Sequence, residues 1–328
     1  MKHRKLIFLF IVVVAVGVYV WYVRGFGSIE TSRQDPRLGV WTVRKPMPIA
    51  RSASAVAALD QKIYVVGGID GYGVATDTVQ VYDPRADEWA SCAPLPRKVQ
   101  GGAAVGAFGL VYIAGGVGQD NLPTDAVFAL DPVACAWANI PPLPIPRAAH
   151  SMVEDQGRLY VVGGVGPQGL IAEVDRYDPA TNVWERVTNL PRPRAALAAA
   201  VLDEKIYVVG GRTASLRLNQ NTVDIYDPET NAWSVGPPMP AARSGIAAAA
   251  LGEKLFVLGG EKIGGTFDRV DFLDPKLLLW HRANAMPTAR HALGVGVVGE
   301  TIFTLGGGRT SGGSVSDINE ALTFPPAP

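Results

Sequence analysis

The sequence is poor in the residues that build metal and redox sites. Among 328 residues it has two cysteines, Cys92 and Cys135, and four histidines, with no C-x-x-C motif and no Cys/His cluster. It also lacks a P-loop and the Ser-His-Asp order of nucleophilic enzymes. We therefore expect no metal and no cofactor, and we favour a protein that is not an enzyme.

The sequence also lacks an excess of charge of one sign. It has 30 Lys and Arg residues against 30 Asp and Glu residues. Lys2, Arg4, Lys5 and Arg24 lie within or beside the first apolar segment, and 30 less these four leaves 26 basic residues for the rest of the chain. A nucleic-acid-binding protein is usually basic and has a clustered basic face. No nucleic-acid partner is expected.

A long apolar run occurs at the start of the chain, where residues 6–23 carry no charge. As a helix this run would be about 27 Å long, close to the hydrocarbon thickness of a membrane. We predict a signal anchor or transmembrane helix over residues 1–24, with a cytoplasmic N-terminus in the cell membrane. The alternative is a signal peptide cleaved near Ala15-Val16-Gly17, which would give a secreted protein. Residues 25–38 form a polar linker.

The rest of the chain is a regular repeat. Pairs of glycines and single tryptophans both recur with spacings of 48, 48, 47, 49 and 47 residues. The glycine pairs begin at Gly67, Gly115, Gly163, Gly210, Gly259 and Gly306, and the tryptophans are Trp41, Trp89, Trp137, Trp184, Trp233 and Trp280. Regular spacing of this kind indicates a repeat architecture.

Each repeat reads as four short strands, as in a propeller blade. A strand of small residues suits the crowded axis, a β-branched strand ends at the glycines, and an Asp-Pro turn precedes the tryptophan strand. The last repeat has no tryptophan strand, and Trp41 stands unused at the other end. We predict an all-β, six-bladed propeller over residues 39–324, closed by the N-terminal strand, preceded by one transmembrane helix and followed by a tail at residues 325–328.

The two cysteines occupy different places in neighbouring repeats. Cys92 follows Trp89 by three residues, and Cys135 precedes Trp137 by two. Equivalent outer strands of adjacent blades are expected to lie beyond the Cα separation of about 7 Å that a disulfide permits. We therefore favour two small apolar side chains over a disulfide.

The glycine pairs, the Tyr-Asp-Pro or Leu-Asp-Pro turns and the spaced tryptophans together resemble Kelch repeats. The resemblance covers about residues 39 to 324. Leu130 and Leu273 stand where a tyrosine is usual, and the final repeat lacks the Asp-Pro turn. A six-bladed member of the family that this chain resembles is the N-acetylneuraminate mutarotase, an exported bacterial enzyme that uses polar residues at the mouth of the propeller.

One arginine marks the start of each small-residue strand: Arg51, Arg97, Arg147, Arg194, Arg243 and Arg290. Five lie sixteen residues before the first glycine of their pair, and Arg97 lies eighteen before. They have two interpretations. They are framework residues that hydrogen-bond loop carbonyls or acids, which we favour, or they form a ring of donors for carboxylates, acidic peptides or anionic sugars.

The loops after the glycine pairs differ between repeats, as recognition loops on a rigid scaffold would. The candidate ligand-binding residues are Asp70, Tyr72, Asn121, Arg212, Arg217, Glu261 and Arg309. We predict a membrane-tethered binding platform that faces the periplasm or the cell exterior and recognises a protein segment or a glycan, including anionic ones. The alternative is a sugar epimerase or mutarotase in which Glu261 and Arg212 act as an acid/base and a carboxylate-binding residue.

Overall fold

The computed structural model describes residues 35–324, which form six four-stranded antiparallel sheets. A single 3-10 turn, Pro36–Leu38, precedes the first strand, and another, Leu216–Leu218, lies in the fourth blade. The strands of blades 1 to 3, from the axis outward, are Ala55–Leu59, Lys62–Val66, Val79–Asp83 and Glu88–Ser91; Ala103–Ala107, Leu110–Ala114, Val127–Asp131 and Ala136–Ile140; and Ser151–Asp155, Arg158–Val162, Val174–Asp178 and Val183–Arg186.

Blades 4 to 6 repeat this arrangement. Their strands are Ala198–Leu202, Lys205–Val209, Val223–Asp227 and Ala232–Val235; Ala247–Leu251, Lys254–Leu258, Val270–Asp274 and Leu279–Arg282; and Gly294–Val298, Thr301–Leu305, Asn319–Thr323 and Val40–Val43. Two short ribbons, Val165–Gly166 with Gly169–Leu170 and Glu261–Lys262 with Gly265–Thr266, extend the loops of blades 3 and 5. The predicted six-bladed all-β propeller is confirmed.

The N-terminal strand completes the sixth blade, as the position of Trp41 predicts. Val40–Val43 pairs antiparallel with Asn319–Thr323, and Trp41 lies opposite Leu322. Because two distant parts of the chain meet in blade 6, the sheet at this seam of the propeller has its full set of four strands. The seam therefore has the same construction as the other blades.

The tryptophans join each blade to the one before it. Each indole Nε1 donates to a backbone carbonyl just after the outer strand of the preceding blade, over 2.8 to 3.4 Å. The acceptors are Asn284, Lys45, Ala93, Pro141, Thr188 and Pro237 for Trp41, Trp89, Trp137, Trp184, Trp233 and Trp280. The tryptophan series of the sequence is thus an inter-blade fastening.

This fastening explains why the expectation about the cysteines was wrong. Cys92 and Cys135 form a disulfide, with their Cα atoms 5.6 Å apart. The expectation assumed that both residues lie on outer strands, but Cys92 lies just after the outer strand of blade 1, directly before Ala93. Because Trp137 draws the next blade against Ala93, Cys135 in the preceding turn is brought within bonding distance. The Ala93 N–H also points at Cys135 Sγ, 3.0 Å away.

A closed ring of six backbone hydrogen bonds surrounds the axis. One residue from the start of each inner strand donates its N–H to the carbonyl of the equivalent residue in the preceding blade, over 2.8 to 2.9 Å. We call these six residues the collar: Ala53, Gly101, Ala149, Ala196, Gly245 and Ala292. All six have positive φ, between 47° and 63°. The collar joins all six blades directly and is a second closure, independent of the N-terminal strand.

The predicted transmembrane helix has no counterpart in the described fold, and this part of the predicted fold class is corrected. Both helices within residues 35–324 are three-residue turns, and no helix in that range is long and apolar enough to cross a membrane. Within residues 35–324 the fold class is all-β, and no membrane helix precedes the first strand there. Residues 6–23, on which the prediction rested, lie outside the described residues.

Candidate functional site

One end of the propeller, which we call the mouth, gathers the loops that follow the glycine pairs and the starts of the inner strands. Isolated β-bridges hold these two segments together, for example between Ala195 and Arg212, Ser244 and Glu261, and His291 and Gly308. Because the inner strands converge on the axis, residues at these bridges lie around the axial opening. Chemically useful side chains from different blades can therefore meet there.

The five regularly spaced arginines are framework residues. Arg51, Arg147, Arg194, Arg243 and Arg290 are completely buried. Each donates to the carbonyl of the first glycine in its own blade's pair, which explains the spacing of sixteen residues. Four of them also pair with a buried acid on the third strand: Asp175, Asp224, Asp271 or Glu320. The ring of free guanidinium donors is not formed by these five.

Arg51 and Arg97 depart from this pattern for reasons visible in the third strand. Gln80 occupies the position of the acid in blade 1, and burial lowers the pKa of Arg51 to about 10. Blade 2 has Phe128 at that position, so no polar partner is available there. Arg97 accordingly lies outside the buried position that the other five arginines occupy. It is exposed at the mouth, with Nη1 3.2 Å from Thr124 Oγ1 and Nη2 3.8 Å from Asp120 Oδ2.

Two of the predicted residues, Arg212 and Glu261, do meet at the mouth. Each directly follows a glycine pair, in blades 4 and 5. Arg212 Nη1 donates to Glu261 Oε1 at 2.7 Å and lies 3.1 Å from Ser244 Oγ. Glu261 is 6% exposed, whereas a third of the Arg212 side chain reaches solvent. The arginine is thus held on one edge and open to the mouth on the other.

His291, from the start of the blade 6 inner strand, completes this cluster. Its Nδ1 lies 3.5 Å from Glu261 Oε2, and its Nε2 lies 3.0 Å from the Thr310 carbonyl oxygen. A carbonyl only accepts, so Nε2 carries a proton. Nδ1 then faces the Glu261 carboxylate. The imidazole of His291 and the carboxylate of Glu261 therefore lie side by side at the mouth.

The mouth loops of blades 4, 5 and 6 are fastened to one another. Asn219 Nδ2 donates to the Glu261 carbonyl at 2.7 Å, and Thr266 Oγ1 donates to the Arg309 carbonyl at 2.9 Å. Ser311 Oγ lies within 3.0 Å of two carbonyls of the blade 5 loop. These bonds make the half of the mouth that holds Arg212, Glu261 and His291 pre-organised.

The remaining predicted residues are dispersed over the loops. Asp70 Oδ1 accepts from the Tyr72 and Val74 N–H groups, so it shapes its own loop. Tyr72 is 93% exposed, and Asn121 takes a turn conformation with φ of 60°. Arg217 and Arg309 are exposed, and neither forms an ion pair within residues 35–324. They are free cations on the pre-organised half.

An axial cavity of about 300 Å³ runs alongside the inner strands. His150, on its wall, is 6% exposed, and neither ring nitrogen has a hydrogen-bond partner in the part of the chain that the structure describes. Burial among apolar groups and the nearby Arg147 lower the pKa of His150 to about 3. Leu197 and Leu293 occupy the same place in blades 4 and 6, so His150 is a neutral core residue of an inter-blade slot.

His291 and Ser244 are the mouth residues that sequence reasoning did not assign to a site. Both directly follow a framework arginine, at the position that bridges to the residue after the glycine pair. Their position after the framework arginines can be read from the sequence, but their contacts with the neighbouring blade cannot. Within residues 35–324, no group of three or more His, Cys, Asp or Glu side chains is placed to hold a metal ion.

Comparisons with known proteins support the repeat assignment. Residues 50–96 match the family described as Kelch motif, and residues 95–239 match the KLHDC2/KLHL20/DRC7 Kelch-repeats domain. The solved structure of YjhT superposes with a TM-score of 0.74 and 17% identity, over 86% of this chain and 97% of that one. No curated protein matches the sequence. The chain contains Kelch repeats and has the fold of a six-bladed β-propeller.

Proposed function

We propose that this propeller is a binding platform whose mouth recognises a protein segment or a glycan that carries a negative group. The observation that supports it is the free edge of Arg212 on a fastened half of the mouth whose loops also carry Arg217 and Arg309, two exposed cations that form no ion pair within residues 35–324. Guanidinium groups held in place bind carboxylates in two-point geometry at low entropic cost. Kelch propellers are typical protein-binding scaffolds, which favours a protein partner.

The test is capture of a partner by the full-length chain in mild detergent, followed by mass spectrometry and by binding of the purified partner. The variant carries Arg212→Gln, Arg217→Gln and Arg309→Gln. A matched control carries Arg85→Gln, Arg158→Gln and Lys205→Gln at the opposite end of the propeller. We expect the partner to bind the parent and the control but to lose at least tenfold in affinity for the mouth variant. Equal binding to all three proteins would refute the mouth as the site.

A sugar epimerase or mutarotase is the second candidate function, favoured by the contacts of the Glu261 carboxylate with Arg212 and His291. Opening and closing of a sugar ring needs a group that takes a proton from one oxygen and returns one to another. In this role the Glu261 carboxylate takes the proton from one substrate oxygen and returns it to the other, while Arg212 holds the substrate carboxylate. The decisive measurement is anomer exchange of N-acetylneuraminate by NMR, with Glu261→Gln against the exposed control Glu253→Gln. Catalysis that Glu261→Gln does not diminish would reject this role.

We also propose that the propeller works in an oxidising compartment, the periplasm or the cell exterior. The Cys92–Cys135 disulfide supports this location, because such bonds persist in oxidising compartments and are rare in the cytosol. Cell fractionation combined with thiol labelling before and after reduction tests it. Free thiols at both cysteines in protein taken directly from cells would contradict it.

A further inference from the structure

The residue that directly follows the glycine pair occupies the same place at the mouth in every blade. In chain order these six residues, which we call the mouth ring, are Ile69, Val117, Val165, Arg212, Glu261 and Gly308. Each forms a β-bridge with a residue at the start of the inner strand of its own blade. They therefore lie at one level around the axis, and their chemistry can be compared directly.

The mouth ring is divided into two unlike halves. Blades 1, 2 and 3 contribute Ile69, Val117 and Val165, all only half-buried. Blades 4 and 5 contribute Arg212 and Glu261, and blade 6 leaves the space beside Gly308 to the His291 ring. In a ring of six blades, blades 1 and 4, 2 and 5, and 3 and 6 stand opposite each other. Each polar position therefore faces an apolar one across the opening.

The polar half carries charges of both signs, but the positive one is the more exposed. A third of the Arg212 side chain reaches solvent, whereas the Glu261 carboxylate is buried between Arg212 and the His291 ring. The buried hydroxyl of Ser244 adds a neutral hydrogen-bonding group. Across the opening, Ser52 and Gln100 are the polar neighbours of Ile69 and Val117, and Arg97 lies in the loop beside Gly118, but the three ring positions themselves are apolar.

We infer that the group recognised in the mouth is an amphipathic anion, a carboxylate attached to or adjacent to an apolar group of several carbons. This inference rests on the proposed function and specifies its ligand. A fully polar sugar would leave Ile69, Val117 and Val165 without an apolar partner, and a purely apolar group would leave Arg212 unused. An amphipathic anion satisfies both halves, with its carboxylate on blades 4 to 6 and its apolar part on blades 1 to 3.

The test compares three small probes, hexanoate, acetate and hexan-1-ol, by ligand-observed NMR with the full-length chain. The parent should bind hexanoate at least about tenfold more tightly than acetate, because the extra methylenes bury apolar surface. Val117→Thr keeps the side-chain shape and should abolish most of that preference without changing acetate binding. Val183→Thr, at the exposed start of the outer strand of blade 3 and away from the mouth, is the matched control and should behave as the parent.

The outcomes separate this inference from the proposed function. If hexanoate and acetate bind equally well, or if Val117→Thr keeps the preference, the amphipathic inference fails, even where Arg212→Gln weakens both anions. If Arg212→Gln leaves both anions bound, the anion site of the proposed function fails. Failure of hexanoate to bind at all overturns the inference as well. A last comparison uses the capped peptides Ala-Glu-Leu-Ala and Ala-Glu-Ser-Ala. If Ala-Glu-Leu-Ala binds more tightly than both hexanoate and Ala-Glu-Ser-Ala, the source of the anion is a protein segment. If hexanoate binds more tightly than the peptides, the source is a free small acid.

Discussion

Arg194 and Asp224 form an ion pair that is completely closed to solvent, with Nη1 2.7 Å from Oδ2 and both side chains at zero exposure. Arg194 also donates to the carbonyls of Gly210 and Val208, so its guanidinium holds the second strand and the end of its glycine loop in place. Equivalent pairs occur in blades 3, 5 and 6. Blade 1 keeps the arginine but has Gln80 in place of the acid, and is the natural test of what the acid contributes.

The first prediction concerns this pair. Asp224→Asn should lower the free energy of unfolding by about 3 kcal/mol, because it leaves a buried guanidinium without its counter-charge. Gln80→Glu should raise it by about 1 kcal/mol, because Arg51 already bears the cost of burial with a neutral partner. Urea unfolding of both variants measures the changes. A loss of stability in Gln80→Glu would show that desolvation of the new carboxylate outweighs the pairing.

The arginines also show what the sequence could and could not predict. The regular spacing identified five of them as parts of the scaffold and marked Arg97 as different. Whether an arginine takes the buried position depends on the side chain about thirty residues later. Asp224 provides Arg194 with a buried partner, whereas Phe128 provides none for Arg97. That dependence is readable only once the pairing of the strands is known, because the two residues meet across two strands of the blade.

Contacts between blades were the part that sequence reasoning could not provide. Repeat lengths fix the register within a blade, but not which side chains of neighbouring blades touch. Glu261 and Arg212, predicted together from the sequence as an acid/base and a carboxylate-binding residue, are in contact because both follow glycine pairs in adjacent blades. His291 was missed because its partner, Glu261, lies in the neighbouring blade. The Cys92–Cys135 disulfide was missed because the packing of Trp137 brings the turn before that residue close to the preceding blade.

The second prediction concerns this disulfide, which closes a loop with a sequence separation of 43. Removing it with Cys92→Ala and Cys135→Ser should cost about 2–4 kcal/mol, the usual contribution of a cross-link over such a loop. Urea unfolding with and without a reductant measures the effect. The reductant should destabilise the parent and leave the double variant unchanged.

A matched variant separates the covalent bond from the local turn. The position of Cys135 holds Asp87 in blade 1 and Asn231 in blade 4, whose side chains accept an N–H from the preceding blade. Cys92→Ala with Cys135→Asn should therefore be more stable than the serine version, by about 1 kcal/mol, since asparagine tolerates the positive φ of 51° and can accept from Ala93. Equal stability of the two would show that only the cross-link matters.

The third prediction concerns His150 and pH. Its pKa is lowered by burial to about 3, against about 6.5 in the unfolded chain. Below pH 6.5 His150 becomes protonated in the unfolded state but stays neutral in the folded state, so the free energy of unfolding falls as the pH is lowered. His150→Leu removes this effect and matches the residue in blades 4 and 6. The stability advantage of His150→Leu over the parent should grow by about 2 kcal/mol between pH 7 and pH 5.

The control for this experiment is His281→Gln, which alters an exposed histidine on an outer strand. Its stability relative to the parent should change little over the same pH range. Urea unfolding at pH 7, 6 and 5 gives all three curves. If His150→Leu and the parent lose stability in parallel, His150 is protonated in the fold and its nitrogens have partners.

The fourth prediction concerns the collar, in which alanine and glycine share one backbone conformation. Ala196 has φ of 53° and Gly245 has φ of 60°, and Gly245 N–H donates to the Ala196 carbonyl at 2.9 Å. A side chain at positive φ is strained by about 1 kcal/mol relative to glycine. Ala196→Gly should therefore stabilise the propeller by up to about 1 kcal/mol, and Gly245→Ala should destabilise it by a similar amount.

Space does not complicate the Gly245 substitution, because a Cβ there would meet no atom closer than 3.5 Å. Gly294, on the inner strand of blade 6, is the contrasting case, since a Cβ would lie 2.0 Å from Val56 Cγ2 and force the two blades apart. Gly294→Ala should cost clearly more than Gly245→Ala, through a clash instead of backbone strain. Urea unfolding of the three variants ranks them. If Ala196→Gly destabilises the protein, the entropy that glycine adds to the unfolded chain outweighs the strain it relieves, and the collar gains rigidity from its alanines.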